Sequence, residues 1–219
     1  MLYALKRQTC PWSDPPELVY PDKNWLSQAK KDIICSRCKF INRKYYPQPF
    51  EVVLSNTPEE NLLCTVLEDT GITIWRRDFL ETISEYLTNF IMARCLLSEG
   101  SVLDDYASCY SSHYIVVRGN RQSRYHVCPD CGTITYRVRP GPEYILKRYL
   151  TGGKVYQDAW GNFFFTEDIA WRINLDKWDV NEQNVYIEAI SVRENPADGQ
   201  ILPGNTNPCS NEPVTPMKK

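Results

Sequence analysis

The sequence predicts an α+β fold in which a zinc-ribbon-like double-knuckle site joins mixed strand–helix units. Three observations carry that expectation. Two Cys-x-x-Cys pairs, Cys35/Cys38 and Cys128/Cys131, stand in one chain. Short runs of alternating apolar and polar residues recur along its length, as strands require. One stretch repeats apolar residues at three- and four-residue intervals, as an amphipathic helix does. The chain has 219 residues, 42% of them hydrophobic, and a net charge of −2. That is long enough to bury a sizeable core and too balanced in charge for disorder throughout.

In chain order, residues 2–6 predict a strand, followed by the loop Cys10-Pro11-Trp12-Ser13-Asp14-Pro15-Pro16. The first knuckle follows at 35–38, then a strand over 51–54, turn chemistry at 55–58 and a strand over 72–75. A helix is predicted over 78–97, because Phe79, Ile83, Tyr86, Leu87, Phe90, Ile91 and Cys95 share one apolar stripe, with Gly100 as its stop. Residues 101–112 are assigned no element. Two strands, 113–118 and 124–127, flank the Gly119-Asn120 turn, and the second knuckle leads into a strand over 133–139. Short strands over 154–157 and 162–165 flank the turn 158–161. Thr166 is a natural N-cap for a helix over 167–175, with Glu167 and Asp168 in its first turn. A strand over 184–192 ends a single domain, 1–193. Residues 194–219, rich in proline and asparagine, predict a flexible tail. Residues 71–83 align with 161–173, and the knuckles lie 93 apart, so a duplicated strand–helix motif is a further expectation.

A two-residue gap lets both thiolates of a tight turn face one ion, and two such turns supply the four sulfurs of a tetrahedral Zn²⁺ site. One structural zinc bound by Cys35, Cys38, Cys128 and Cys131 is therefore expected. Separate thiol turns and a dithiol redox motif are the alternatives. The redox motif needs its first cysteine at a helix N-terminus, whereas strand-forming residues follow Cys131. Gly132 suits the left-handed backbone of a knuckle, and Lys39 replaces it in the first. Cys95 reads as core. Cys10, Cys64, Cys109 and Cys209 lack partner spacing. His126 is either a strand-surface residue or a donor to a thiolate. No hydrolase, metalloprotease or phosphate-loop motif is present, and a fully thiolate-ligated ion has no open position for substrate, so an enzyme is not expected. No signal-like or membrane-spanning stretch stands out, because Glu81, Glu85 and Arg94 interrupt the longest apolar run. A cytoplasmic protein is expected.

The opening strand Leu2-Tyr3-Ala4-Leu5, the two separated knuckles with Cys128-Pro129-Asp130-Cys131-Gly132 as the second, and the end pattern from Phe163 to Val192 resemble the bacterial double-CxxCG proteins. That is a myxobacterial-type paralogous family related to immunity proteins of polymorphic toxin systems. The resemblance covers about residues 1–193, with Lys39 standing where the family has glycine. It implies a non-enzymatic cytoplasmic antidote that binds a cognate toxin, with zinc pinning its halves. The expected partner face is Asp176, Trp178, Asp179 and Glu182, a tryptophan among acids; Trp178 closing the core is the other reading of that stretch. The competing class is a zinc-ribbon nucleic-acid or transcription accessory protein, with Arg118, Arg121, Arg124, Tyr125, His126, Arg137 and Arg139 as its basic–aromatic run. The pI near 5.8 speaks against nucleic acid as principal partner.

Overall fold

The computed structural model describes residues 1–7, 20–42, 50–58, 64–67, 71–88, 90–111, 114–137, 139, 141–173 and 185–202. Strands outweigh helices. A five-stranded sheet is built from β2 (Glu51–Leu54), β3 (Cys64–Leu67), β4 (Ile72–Arg76), β5 (Phe90–Leu97) and β6 (Val102–Ser111), in the order β2-β5-β6-β4-β3. A second sheet contains β1 (Leu2–Arg7), β7 (Tyr114–Ile115), β8 (Val117–Arg118), β11 (Tyr144–Leu146), β12 (Val155–Asp158), β13 (Phe163–Thr166) and β14 (Val185–Arg193), in the order β7-β12-β13-β1-β14-β11-β8. Only Val116 separates β7 from β8, yet they pair with β12 and β11 at opposite margins. One continuous stretch thus joins both margins, and the second sheet curls on itself as a small barrel. A ribbon of β9 (Arg124–Val127) and β10 (Ile134–Arg137) carries the second knuckle. The helices α1 (Lys23–Asp32), α2 (Arg77–Ile83) and α3 (Glu167–Ala170) are short.

Three apolar cores follow from these layers. One lies under α1 against the five-stranded sheet, with Val52, Leu54, Ile74, Cys95 and Tyr110. Another includes Leu2, Ala4, Tyr144, Phe164 and Ile190 of the barrel. The third is shared: Trp75, Phe79 and Cys109 from the sheet side meet Leu5, Phe163, Phe165 and Ile169 from the barrel side, with Trp75 and Phe163 ring centroids 4.6 Å apart. The buried Gln157 stitches the sheets together, its side chain accepting from the Ser111 amide and donating to the Cys109 and Gly161 carbonyls. That satisfies polar groups which would otherwise be costly to bury.

Several expectations need correction. The helix over 78–97 ends at Ile83, passes through a 3₁₀ turn, Ser84–Tyr86, and gives way to strand β5. There Ala93 and Cys95 are buried while Met92 and Arg94 are exposed, a two-residue alternation. Ile91 and Cys95, four apart, fit both periods, whereas the adjacent Phe90 faces the other core, and pairing with β2 and β6 settles the strand. The unassigned stretch 101–112 holds β6, whose acidic first half conceals its strand character. The helix over 167–175 stops at Ala170. Strand 113–118 is divided at Val116. Helix α1 and strands β3 and β11 were not expected; α1 is capped by Asp22, whose carboxylate accepts from the Asn24 and Trp25 amides. Residues 194–202 lie back on the barrel, where Asp198 pairs with the fully buried Arg118 and Leu202 joins the core.

Candidate metal centre

Both knuckles are built by the same local hydrogen bonds. In the first, the Cys35 amide donates to the Phe40 carbonyl and the Lys39 amide to the Cys35 carbonyl, each at 2.9 Å. In the second, the Cys128 amide donates to the Thr133 carbonyl at 2.9 Å and the Gly132 amide to the Cys128 carbonyl at 2.8 Å. Closing each turn requires a left-handed residue after the second cysteine. Lys39 (φ 67°) and Gly132 (φ 72°) occupy that place.

Helix α1 delivers the first knuckle and the β9–β10 ribbon the second. Phe40 anchors the first by an edge-on contact with Trp160, centroids 4.8 Å apart. The Tyr114 hydroxyl anchors the second, accepting from the Ile134 amide at 2.7 Å and donating to the Gly132 carbonyl at 3.3 Å. The knuckles therefore meet: Cys35 and Cys128 sulfurs are 3.7 Å apart, Cys38 and Cys131 sulfurs 3.5 Å. All four Sγ atoms lie within 4.8 Å of one another. Four thiolates around an ion at about 2.3 Å form a tetrahedron with edges of roughly 3.8 Å, so the donor set fits a single metal ion. Cys35, Cys128 and Cys131 are buried and Cys38 is half-buried.

Hydrogen bonding among the sulfurs and burial set the protonation of the site. The Cys131 thiol is lowered to about 5, chiefly by the hydrogen bond from Cys38, aided by the Thr133 hydroxyl 3.2 Å away and by the Thr133 amide. Cys38 moves the opposite way because it keeps the shared proton and is partly desolvated. Burial also raises Cys128, against amide hydrogen bonds from Cys131 and Asp130. A bound cation replaces these thiol protons. Outside the knuckles, burial pushes Cys95 up to about 12 and Cys109 above the ordinary thiol range; both are inert core groups.

The structure thus brings together the four cysteines expected as ligands. His126 lies on the exposed side of β9. Arg118 of the expected basic run is buried beneath the tail, stacked on Tyr125 with its guanidinium 5.0 Å from the ring centroid. Asp176, Trp178, Asp179 and Glu182, the expected partner face, lie outside the described residues, as do Cys10, His113 and Cys209. Sequence reasoning overlooked Tyr114 and Thr133, which support the second knuckle from positions without motif character, and singled out no role for Trp171, which is 77% exposed at the end of α3. No described helix is long and apolar enough to cross a membrane. Neither a known family model nor a curated protein matches the chain.

Proposed function

We propose that the protein is a non-enzymatic, zinc-stabilised binding protein, and that it serves as an immunity protein which inhibits a cognate bacterial toxin by direct binding. The observation that carries the reading is the closed Cys₄ cluster. Four thiolates saturate a tetrahedral ion, select zinc among the divalent metals by softness and geometry, and leave no position for a substrate. Such an ion acts by joining the segments that hold it, a structural role. The double knuckle also carries the resemblance to the double-CxxCG proteins, and the inhibitory role rests on that resemblance. A cytoplasmic location follows from it, since free thiols persist in a reducing compartment. The exposed Trp171 directly precedes the stretch containing Asp176, Trp178, Asp179 and Glu182, and an aromatic beside carboxylates suits a basic toxin surface.

The test mixes the zinc-loaded chain with the toxin encoded beside its gene. A stoichiometric complex with loss of toxin activity is expected; absence of binding to every neighbouring toxin removes the antidote role. Replacing Asp176, Asp179 and Glu182 by Ser should slow association about tenfold and weaken its salt dependence. Unchanged association moves the contact to another face.

One observation favours the nucleic-acid reading. Arg124 and Arg137 sit directly opposite each other on the ribbon, with His126 beside them and Arg121 and Arg139 also exposed. Like charges across a strand pair cost stability, and a phosphate would relieve that cost. Fluorescence anisotropy with a labelled single-stranded oligonucleotide, across a salt series, decides between them.

A further inference from the structure

The five-stranded sheet and five strands of the barrel share one plan. The order β3-β4-β6-β5-β2 in the sheet is matched by β12-β13-β1-β14-β11 in the barrel. Neighbouring pairs have the same sense throughout: three antiparallel pairs and then one parallel pair.

The registers coincide as well. Strand β4 meets β6 as Ile74↔Ser108, Trp75↔Ala107 and Arg76↔Tyr106. Strand β13 meets β1 as Phe164↔Ala4, Phe165↔Tyr3 and Thr166↔Leu2. Across the other edge, Ser108 and Ala107 pair with Ala93 and Arg94 of β5, while Ala4 and Tyr3 pair with Glu188 and Ala189 of β14. Following both strands outward, Ser111 reaches Phe90 and Arg7 reaches Val185 without slip. A slip of one residue would turn every side chain to the opposite face, so agreement on both edges is a strong constraint. The knuckles extend the match. Ile34 bridges Ile41 as Val127 pairs with Ile134, and Pro21 bridges Leu54 as Val117 pairs with Ile145. Gly71 and Gly161 hold equivalent left-handed turns, and the turns abut: a Cβ on Gly71 would collide with the Ala159 carbonyl, and one on Gly161 with the Thr73 hydroxyl.

One strand breaks the chain order. β6 follows β5 through the exposed hairpin 98–101 and lies beside it. Its counterpart in the barrel is β1, the strand farthest from β14 in sequence. Read in chain order over residues 2–97 and 102–193, each half then has a first strand, a knuckle, two strands, a strand running into a helix and a last strand, with α1 before the knuckle in the first half and β7, β8 and the β9–β10 ribbon around it in the second. The first strand of each half lies in the sheet of the other.

We infer that the chain is a pair of like units that have reciprocally exchanged their first strands. The slot between β13 and β14, like that between β4 and β5, is a docking site whose partner is the first strand of a second unit of the same kind. One knuckle from each unit then completes the metal site. Neither unit closes its own sheet: without β1 the barrel opens between β13 and β14, and without β6 the other sheet loses its centre. Metal and strands are therefore separate clasps between the halves, and the inference is independent of any toxin.

The test inserts a protease site between Glu99 and Gly100 in the full chain, cleaves the metal-loaded protein, and follows particle mass by light scattering and strand content by circular dichroism. The two fragments are expected to remain one particle of about 25.5 kDa. With the metal chelated and denaturant added, they should separate only as strand signal is lost, at a midpoint that rises with protein concentration, because each fragment needs the other's strand. Release of a fragment that keeps its strand signal, or a midpoint independent of concentration, overturns the exchange. Hydrogen exchange on the uncleaved, metal-loaded chain gives a second readout. Amides of Leu2–Arg7 should open with those of β13 and β14, and opening with β2–β5 instead would also overturn it.

Discussion

The two knuckles make the same hydrogen bonds from different surroundings. The second is the tip of a two-stranded ribbon with glycine at the left-handed position, while the first follows a helix and holds a lysine there, strained by roughly 1–2 kcal/mol. Part of that strain is offset locally, because the Lys39 ammonium donates to the Ser36 carbonyl. The knuckle shape is therefore imposed by its ends: the bridge Ile34↔Ile41 and the Phe40–Trp160 contact hold the first turn closed, so the residue at the bend is not free to relax it.

If the knuckles are equal partners in one site, Cys35→Ser and Cys131→Ser should each abolish metal binding and destabilise the fold by several kcal/mol, since a structural zinc contributes on the order of 10 kcal/mol. Elemental analysis and thermal melts check this. Metal retained by Cys35→Ser alone would make the first knuckle dispensable.

The segment after the second unit clasps it, an arrangement to which the first shows no counterpart among the described residues. Asp198→Asn should cost about 3–4 kcal/mol by leaving the buried Arg118 unpaired, measured by denaturant unfolding. Burial pushes the Asp198 carboxyl up, but hydrogen bonds from Arg118 and the Gln200 amide, with the Arg118 charge, hold it below the ordinary carboxylate range. Its stabilisation is thus complete above the unfolded value near 3.9 and fades as pH falls through the lower folded value. Acid unfolding of Asp198→Asn should be flatter than that of the parent in that window.

The abutting turns offer a finer comparison. Gly71→Ala and Gly161→Ala should each cost roughly 3 kcal/mol from left-handed strain and overpacking. Thr73→Ala should rescue only Gly161→Ala, because Gly71 faces backbone that cannot withdraw. Additive double-mutant energies at Thr73 and Gly161 would contradict the contact. Cys95→Ala should lose about 1–2 kcal/mol of packing while keeping full metal content, which separates core sulfur from ligand sulfur. Smallest of all, Lys39→Gly should gain about 0.5 kcal/mol by removing the strain against glycine's larger chain entropy, read as a rise in melting temperature of a few degrees.

Local features are legible in the residues alone. A two-residue gap fixes the geometry of a thiol turn, so the four ligands are legible from spacing alone, and Gly132 marks its bend. Strands β1, β2, β9 and β13 show their alternation or β-branched and aromatic content directly, within a residue or two of their bounds. Tertiary structure decided everything that rests on a neighbour distant in sequence. Phe90–Leu97 carries a pattern compatible with helix and strand, and ladder bonds to β2 and β6 choose between them. Val102–Ser111 is a strand because β4 and β5 flank it, despite Asp104 and Asp105. Asp198 is held in a segment of tail composition because Arg118, 80 residues away, would otherwise be buried without its counter-charge. The placement of β1 in the far sheet has no local signature at all: a strand presents the same backbone donors and acceptors to any slot of matching register, and only the folded chain shows which slot is open.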